Sequence, residues 1–212
     1  MPQLPTKLTI VVVLALVVGL VPVPARVLAQ GGAQTPAAQQ ATDASPRPDL
    51  AIGLSDLPPG YETAPSLELM LDDRPLQDRV IRQSEPGAGP GWIWTMTYQG
   101  SPPVTQERVN FLAEDLAIFF QRALSDVAII SDWRDRDPGD LGDLAKLYTF
   151  SYRIQGSDLV GDGALAIFGP GDYLSYLAVL NYDGQSMSDL RMLAHIVSTR
   201  IDAQRTTSQV PR

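Results

Sequence analysis

Two neighbouring segments near the C-terminal end constrain the fold more than any other part of the chain. Ala164 to Phe168 and Tyr173 to Tyr182 flank Gly169-Pro170-Gly171-Asp172, a turn composition that joins antiparallel strands. Successive side chains of a strand point to opposite faces, so each segment divides into two alternating sets. Here both sets are apolar. Leu165 and Ile167 oppose Ala164, Ala166 and Phe168, while Leu174, Tyr176, Ala178 and Leu180 oppose Leu177 and Val179. A hairpin that is apolar on both faces has to be covered on both faces.

Two helical patterns supply the cover. Within Val104 to Ser125, Val109, Leu112, Ala113, Leu116, Phe119, Phe120 and Ala123 recur at three- and four-residue spacing, with Thr105 as the expected cap and Glu107 in the first turn. Phe111 and Ile118, seven residues apart, fall outside that stripe and form a small second one. Ser188 to Gln204 reads as the closing helix, capped by Ser188, with Leu190, Leu193, Ala194, Val197 and Ile201 on one side. Two more strands carry an aromatic face. Trp92, Trp94, Met96 and Tyr98 alternate with Ile93, Thr95 and Thr97, and Tyr148, Phe150, Tyr152 and Ile154 alternate with Thr149, Ser151 and Arg153. Ala51 to Leu57, Leu67 to Leu71 and Val127 to Ser131 read as short extended segments, and Asp132 to Asp143 as a turn-rich acidic loop. The expected fold class is α+β: an antiparallel sheet with helices packed on both faces, an α/β/α sandwich.

The expected organisation is a signal peptide over residues 1–29, a disordered linker over 30–49, one globular domain over 50–205 and a frayed tail over 206–212. Lys7 opens an almost unbroken apolar run from Leu8 to Val23, and Val27-Leu28-Ala29 fits a cleavage site before Gln30. Pro22 and Pro24 stop a helix near Val21, leaving a span of ~21 Å against ~30 Å of hydrocarbon, so cleavage is expected over retention as an anchor. Residues 30–49 are rich in Ala, Gln, Thr, Pro, Gly and Ser and offer almost nothing apolar to offset the entropy of ordering. The expected location is extracytoplasmic, secreted or at the cell surface, with no membrane span after cleavage. The chain has no cysteine, which removes disulfides, thiolate metal sites and a lipid-bearing lipobox cysteine together.

Charge narrows the partners. Lys7 and Arg26 lie in the signal, which holds no acid, so beyond residue 29 the formal charge of −8 becomes −10. A field of that sign repels phosphate backbones, and no basic stripe is visible along the sequence. Nucleic acid is therefore not an expected partner. What remains is an unidentified protein or small-molecule ligand.

The order of signal, linker, Leu-Ser-Asp-Leu-Pro-Pro-Gly-Tyr opening (54–61), amphipathic helix, strands, Leu-Val-Gly-Asp-Gly-Ala strand entry (159–164), hairpin and terminal helix resembles the exported PsbP-like sandwich domains of bacterial surfaces. The resemblance covers residues 50–205. It implies a sandwich fold used for binding or assembly, with no common catalytic set, and it transfers no site residue.

Few residues point to chemistry. His195 is the only histidine and falls on the solvated side of the last helix. Asp132, Asp135, Asp137, Asp140 and Asp143 crowd into one loop with Arg134 and Arg136, and hard oxygens of this kind are what calcium requires; the spacing misses the EF-hand pattern. Among the 24 acids, Glu107 and Glu114, one heptad apart on a helix face, are an example of paired carboxylates, though neither is near an obvious apolar pocket that would raise a pKa. No G-x-S-x-G, Walker A, H-E-x-x-H or G-x-G-x-x-G motif is present. The aromatic rows, Trp92 and Trp94 included, are either sheet core or a groove for an apolar ligand or sugar. Trp133, among charged neighbours, is expected to be exposed and, with Phe111 and Ile118, to form a contact surface. The expectation is a non-catalytic extracytoplasmic binding or interaction module without a cofactor, calcium being the one metal considered. A cell-envelope hydrolase acting through Asp or Glu and a structural envelope protein are the alternatives.

Overall fold

A computed structural model describes residues 45–208 apart from 66–69, 72–73, 76, 85–88, 101–103, 126–127, 143, 170 and 183. The signal, residues 30–44 of the linker, most of the Leu67 to Leu71 run, Asp143 and the last four residues lie outside the described residues.

In chain order the elements are β1 (Ser45–Pro46), β2 (Tyr61–Ala64), β3 (Met70–Leu71), β4 (Arg74–Pro75), β5 (Arg79–Gln83), β6 (Trp92–Gln99), α1 (Gln106–Ala123), β7 (Ala128–Arg136), β8 (Ala145–Ile154), β9 (Val160–Phe168), β10 (Tyr173–Asn181) and α2 (Ser186–Ser208). The main sheet runs β2-β5-β6-β10-β9-β8-β7, with β1 added alongside β6 and β3-β4 forming a separate pair. Every pairing is antiparallel. Among the described residues the fold is α+β: a seven-strand antiparallel sheet, joined by β1 alongside β6, and two α-helices.

The strands from β7 to β10 form a meander, and α1 carries the chain from β6 to the far edge, where β7 begins. The alternation seen in the sequence becomes two separate apolar clusters. Trp92, Trp94, Met96 and Tyr98 of β6 gather with Leu165, Ile167, Tyr176 and Ala178, and with Val109, Ala113, Leu116 and Phe120 of α1. Their chain neighbours Ile93, Ala164, Ala166, Phe168, Leu177 and Val179 gather instead with Leu190, Leu193, Ala194, Val197 and Ile201 of α2. The apolar stripe expected of α2 is the buried one.

Three local expectations are corrected. Ala51 to Leu57 is not extended throughout: Leu54–Asp56 forms a 3₁₀ turn, because the Asp56 carboxylate accepts from the Gly53 backbone N–H at 2.7 Å and draws the chain round. The segment Asp132 to Arg136 is strand rather than loop. A bulge between Ser131 and Arg134, with Asp132 at φ 54°, restores the ladder so that Arg134, Asp135 and Arg136 face Thr149, Tyr148 and Leu147. Finally, α2 begins at Ser186, two residues before the expected cap at Ser188. Its first turn is capped from across the fold, the Asp162 carboxylate of β9 accepting from the Ser186 backbone N–H at 3.1 Å and from its hydroxyl.

The described residues begin inside the stretch read as linker. There Ser45 and Pro46 pair with Gln99 and Tyr98, and the Arg47 backbone N–H donates to the Thr97 carbonyl at 2.7 Å. Leu50, Ala51 and Ile52 follow, all buried. Two of their carbonyls are held by cations: Arg200 donates to Ala51 O at 2.9 Å and Arg79 to Ile52 O at 2.6 Å.

Candidate functional site

The contact surface read from the sequence rests on α1, so its local construction matters first. The Thr105 hydroxyl accepts from the Arg108 backbone N–H at 3.3 Å and caps the helix as expected. Val109, Ala113, Leu116 and Phe120 are buried, and Leu112 and Phe119 are partly so. With that stripe committed to the core, a helix of 3.6 residues per turn places Phe111 and Ile118 on the opposite side. Phe111 is 37% and Ile118 48% exposed. Exposed Glu114 and Asp115 lie between them, and partial burial together with the neighbouring Glu114 charge raises the Asp115 carboxyl above its ordinary pKa.

Trp133 departs from its expected setting. It is half-buried in strand β7 and packs on the first cluster, its ring 4.5 Å from that of Phe150 and edge-on to Tyr148 at 5.9 Å. Of the charged neighbours that marked it as a loop residue, Arg134 and Arg136 alternate with it on the other face of an edge strand, and Asp135 shares its face. On the same strand Asp135 pairs with Lys146, which raises the Lys146 pKa and places its ammonium 5.5 Å from the centre of the Tyr148 ring. Among the described residues the ring contacts of Trp133 are with Tyr148 and Phe150, not with Phe111.

Trp92 and Trp94 are core residues. They are 3% and 0% exposed and meet Phe120 edge-on at 6.3 and 5.2 Å. Trp94 also donates its indole N–H to Asp78 at 2.8 Å. Of the two readings of the aromatic row, the packing is that of sheet core.

The aspartates disperse onto separate partners. Asp132 accepts from the Ser131 hydroxyl at 3.3 Å, Asp135 pairs with Lys146, Asp137 accepts from the Gly139 backbone N–H at 3.0 Å, and Asp140 pairs with Arg191 of α2. Asp143 lies outside the described residues. Among those described, no three His, Asp or Glu side chains come together as a metal-binding group. Glu107 and Glu114 are both exposed on α1, and His195 is exposed on α2.

One grouping escaped the sequence reading. Arg134 and Arg136 stand among aspartates and Arg153 lies on another strand, so the sequence shows no basic stripe, yet the β7–β8 register brings all three to one side of the sheet. The signal was the pairing register, which the bulge at Ser131/Arg134 shifts.

Fold and surface define an α+β protein with one main antiparallel sheet and, among the described residues, two α-helices. Among the described residues no helix is long and apolar enough to cross a membrane. The chain is similar to cyanobacterial PsbP (CyanoP) from Synechocystis sp. PCC 6803, solved in solution, with 12% identity and a TM-score of 0.32 over 81% of this chain and 96% of that one. That likeness is weak and lies at the level of the fold. No family model and no curated protein matches the chain.

Proposed function

We propose that this chain is an exported, non-catalytic interaction module that meets a partner protein through the outward side of α1. The observation that carries the reading is the exposure of Phe111 and Ile118, at 37% and 48%, on a helix whose apolar stripe is already used in the core. Large apolar side chains displayed beside charge are the usual anchors of protein contacts. The apolar leader between Lys7 and Ala29 supports export and an extracytoplasmic place of work. The module needs no metal; the separate partners of Asp135, Asp137 and Asp140 fit that reading. We further read the fold as an α/β/α sandwich, supported by two clusters that take alternate strand residues and one helix each.

Photo-crosslinking tests the surface. A photoreactive residue at position 111, in the chain expressed in its own host, is expected to trap one protein outside the membrane. Ile118→Asp should abolish that adduct, and a probe at exposed position 207 should not form it. Equal trapping at 111 and 207, or none at 111, overturns the proposal.

A further inference from the structure

The cations of this acidic chain are unevenly used. Arg47, Arg82, Lys146, Arg191, Arg200 and Arg205 each pair with a carboxylate. Arg134, Arg136 and Arg153 make no ion pair among the described residues, and all three are exposed. Among the described residues their side chains make one hydrogen bond, from Arg136 Nε to the Thr149 hydroxyl at 2.9 Å.

The register gathers them. Along β7 and β8, Arg136 lies opposite Leu147, Arg134 opposite Thr149, Ser131 opposite Ser151 and Ile129 opposite Arg153. The rows continue onto β9, where Ser151 meets Asp162 and Arg153 meets Val160. Opposed residues of a ladder share a face, as do residues two apart on one strand. Leu147 belongs to the α2 cluster, so the three guanidiniums stand on the α2 side of the sheet. There α2 packs over β9 and β10, and β7 lies beyond it at the edge.

Two further details shape this face. Asp162 is its inward carboxylate, and that charge is directed to the first turn of α2 through Ser186. At the far end the face turns apolar: Ile129 and Val160, 58% and 52% exposed, flank Arg153. The face therefore runs from two arginines without an ion pair, past Thr149, whose hydroxyl accepts from Arg136, Ser131, whose hydroxyl donates to Asp132, and Ser151, to an aliphatic pair with a third arginine.

We infer that this face binds an extended acidic segment of a partner protein. Strand residues two apart recur every ~6.7 Å, so two carboxylates spaced one residue apart in an extended peptide match Arg136 and Arg134. Guanidinium forks suit carboxylates because they can bind them bidentately. Ser131 and Ser151 then face a small polar residue, and Ile129 with Val160 takes an aliphatic side chain. That last contact selects a peptide over a simple polyanion, which has nothing apolar to place there. The net negative charge does not prevent the encounter, since screening confines its reach to about 8 Å at physiological ionic strength. This surface is separate from α1, and the inference does not depend on the role given to Phe111 and Ile118.

The test is fluorescence anisotropy of the full chain with a labelled synthetic peptide, Glu-Thr-Glu-Thr-Ser-Thr-Val, and a reordered control, Glu-Glu-Thr-Thr-Ser-Val-Thr. The first peptide should bind saturably and more tightly than the control. Binding should weaken roughly tenfold in the Arg134→Ala/Arg136→Ala double variant, and about threefold in Ile129→Ser. Raising NaCl to about 0.5 M should weaken it without any substitution. Equal binding of both peptides overturns the inference, as does the lack of saturable binding. So does displacement by sodium polyphosphate that is indifferent to Ile129→Ser, which would identify a surface for simple polyanions. Melting curves of the variants confirm that the exposed substitutions leave the fold intact.

Discussion

Two glycines in β9 shape the aromatic packing of β8 by what they lack. Gly161 lies opposite Tyr152 and Gly163 opposite Phe150, and a Cβ at either position would overlap the facing ring. The rings lie over bare backbone, which lets the Tyr152 hydroxyl reach the Asn181 carbonyl at 3.0 Å. Gly163→Ala is therefore expected to cost about 1–3 kcal/mol, as overpacking of a filled core does, and to lower the Tm by several degrees in a thermal melt. A second effect at this scale is titration of the buried tyrosines. Burial pushes the Tyr98 hydroxyl from 10.0 up to about 12, and raises Tyr152 and Tyr176 as well. Well below pH 10 all three are protonated in both the folded and the unfolded chain, so they add no pH dependence there. Between about pH 10 and 12 the unfolded chain releases the proton from the Tyr98 position first, and stability drains away by roughly 3 kcal/mol from this residue alone. Urea unfolding midpoints measured across that range check the sign: they should fall as pH rises.

Among the elements, α1 separates two kinds of apolar residue. Phe120 is 1% exposed and meets both Trp92 and Trp94, whereas Phe111 is 37% exposed on the other side of the helix. Phe120→Ala is expected to cost about 3–5 kcal/mol, against about 0.5 kcal/mol or less for Phe111→Ser, in denaturant titrations of the two variants. The helices and the central strands were legible in the sequence because their apolar periods are long: Val109 to Phe120 and Leu190 to Ile201 follow the helical repeat, and Trp92 to Tyr98 the strand repeat. β7 was not. Its second half reads Asp-Trp-Arg-Asp-Arg, a loop composition, and only pairing with Thr149, Tyr148 and Leu147 makes it a strand. The charges and the bulge suit its position at the sheet edge, where they discourage pairing with other chains. The arginine face was hidden for the same reason, since Arg153 joins Arg134 and Arg136 only through the ladder. The exposure of Phe111 and Ile118 was legible because it follows from helix geometry alone.

Across the whole molecule, the first residues of the expected domain are integral to it. Leu50 and Ile52 are 4% and 0% exposed within the α2 cluster, and Arg79 and Arg200 depend on the carbonyls of Ile52 and Ala51. A chain beginning at Ser45 should melt like one beginning at Gln30. A chain beginning at Gly53 loses two buried aliphatic side chains, at about 1.5–3 kcal/mol each, and the partners of two arginines. Its melting transition is expected to broaden or vanish in calorimetry. The bond from Arg200 to Ala51 joins residues 149 positions apart, and Arg200 also pairs with Asp56. This interlock sets a clock on folding. The N-terminal strap cannot be locked down until the last helix has been made and delivered, so the contacts that close the domain are among the most distant in the chain. For a protein proposed to be exported, such a late-closing fold leaves final compaction to the last part of the chain to be made.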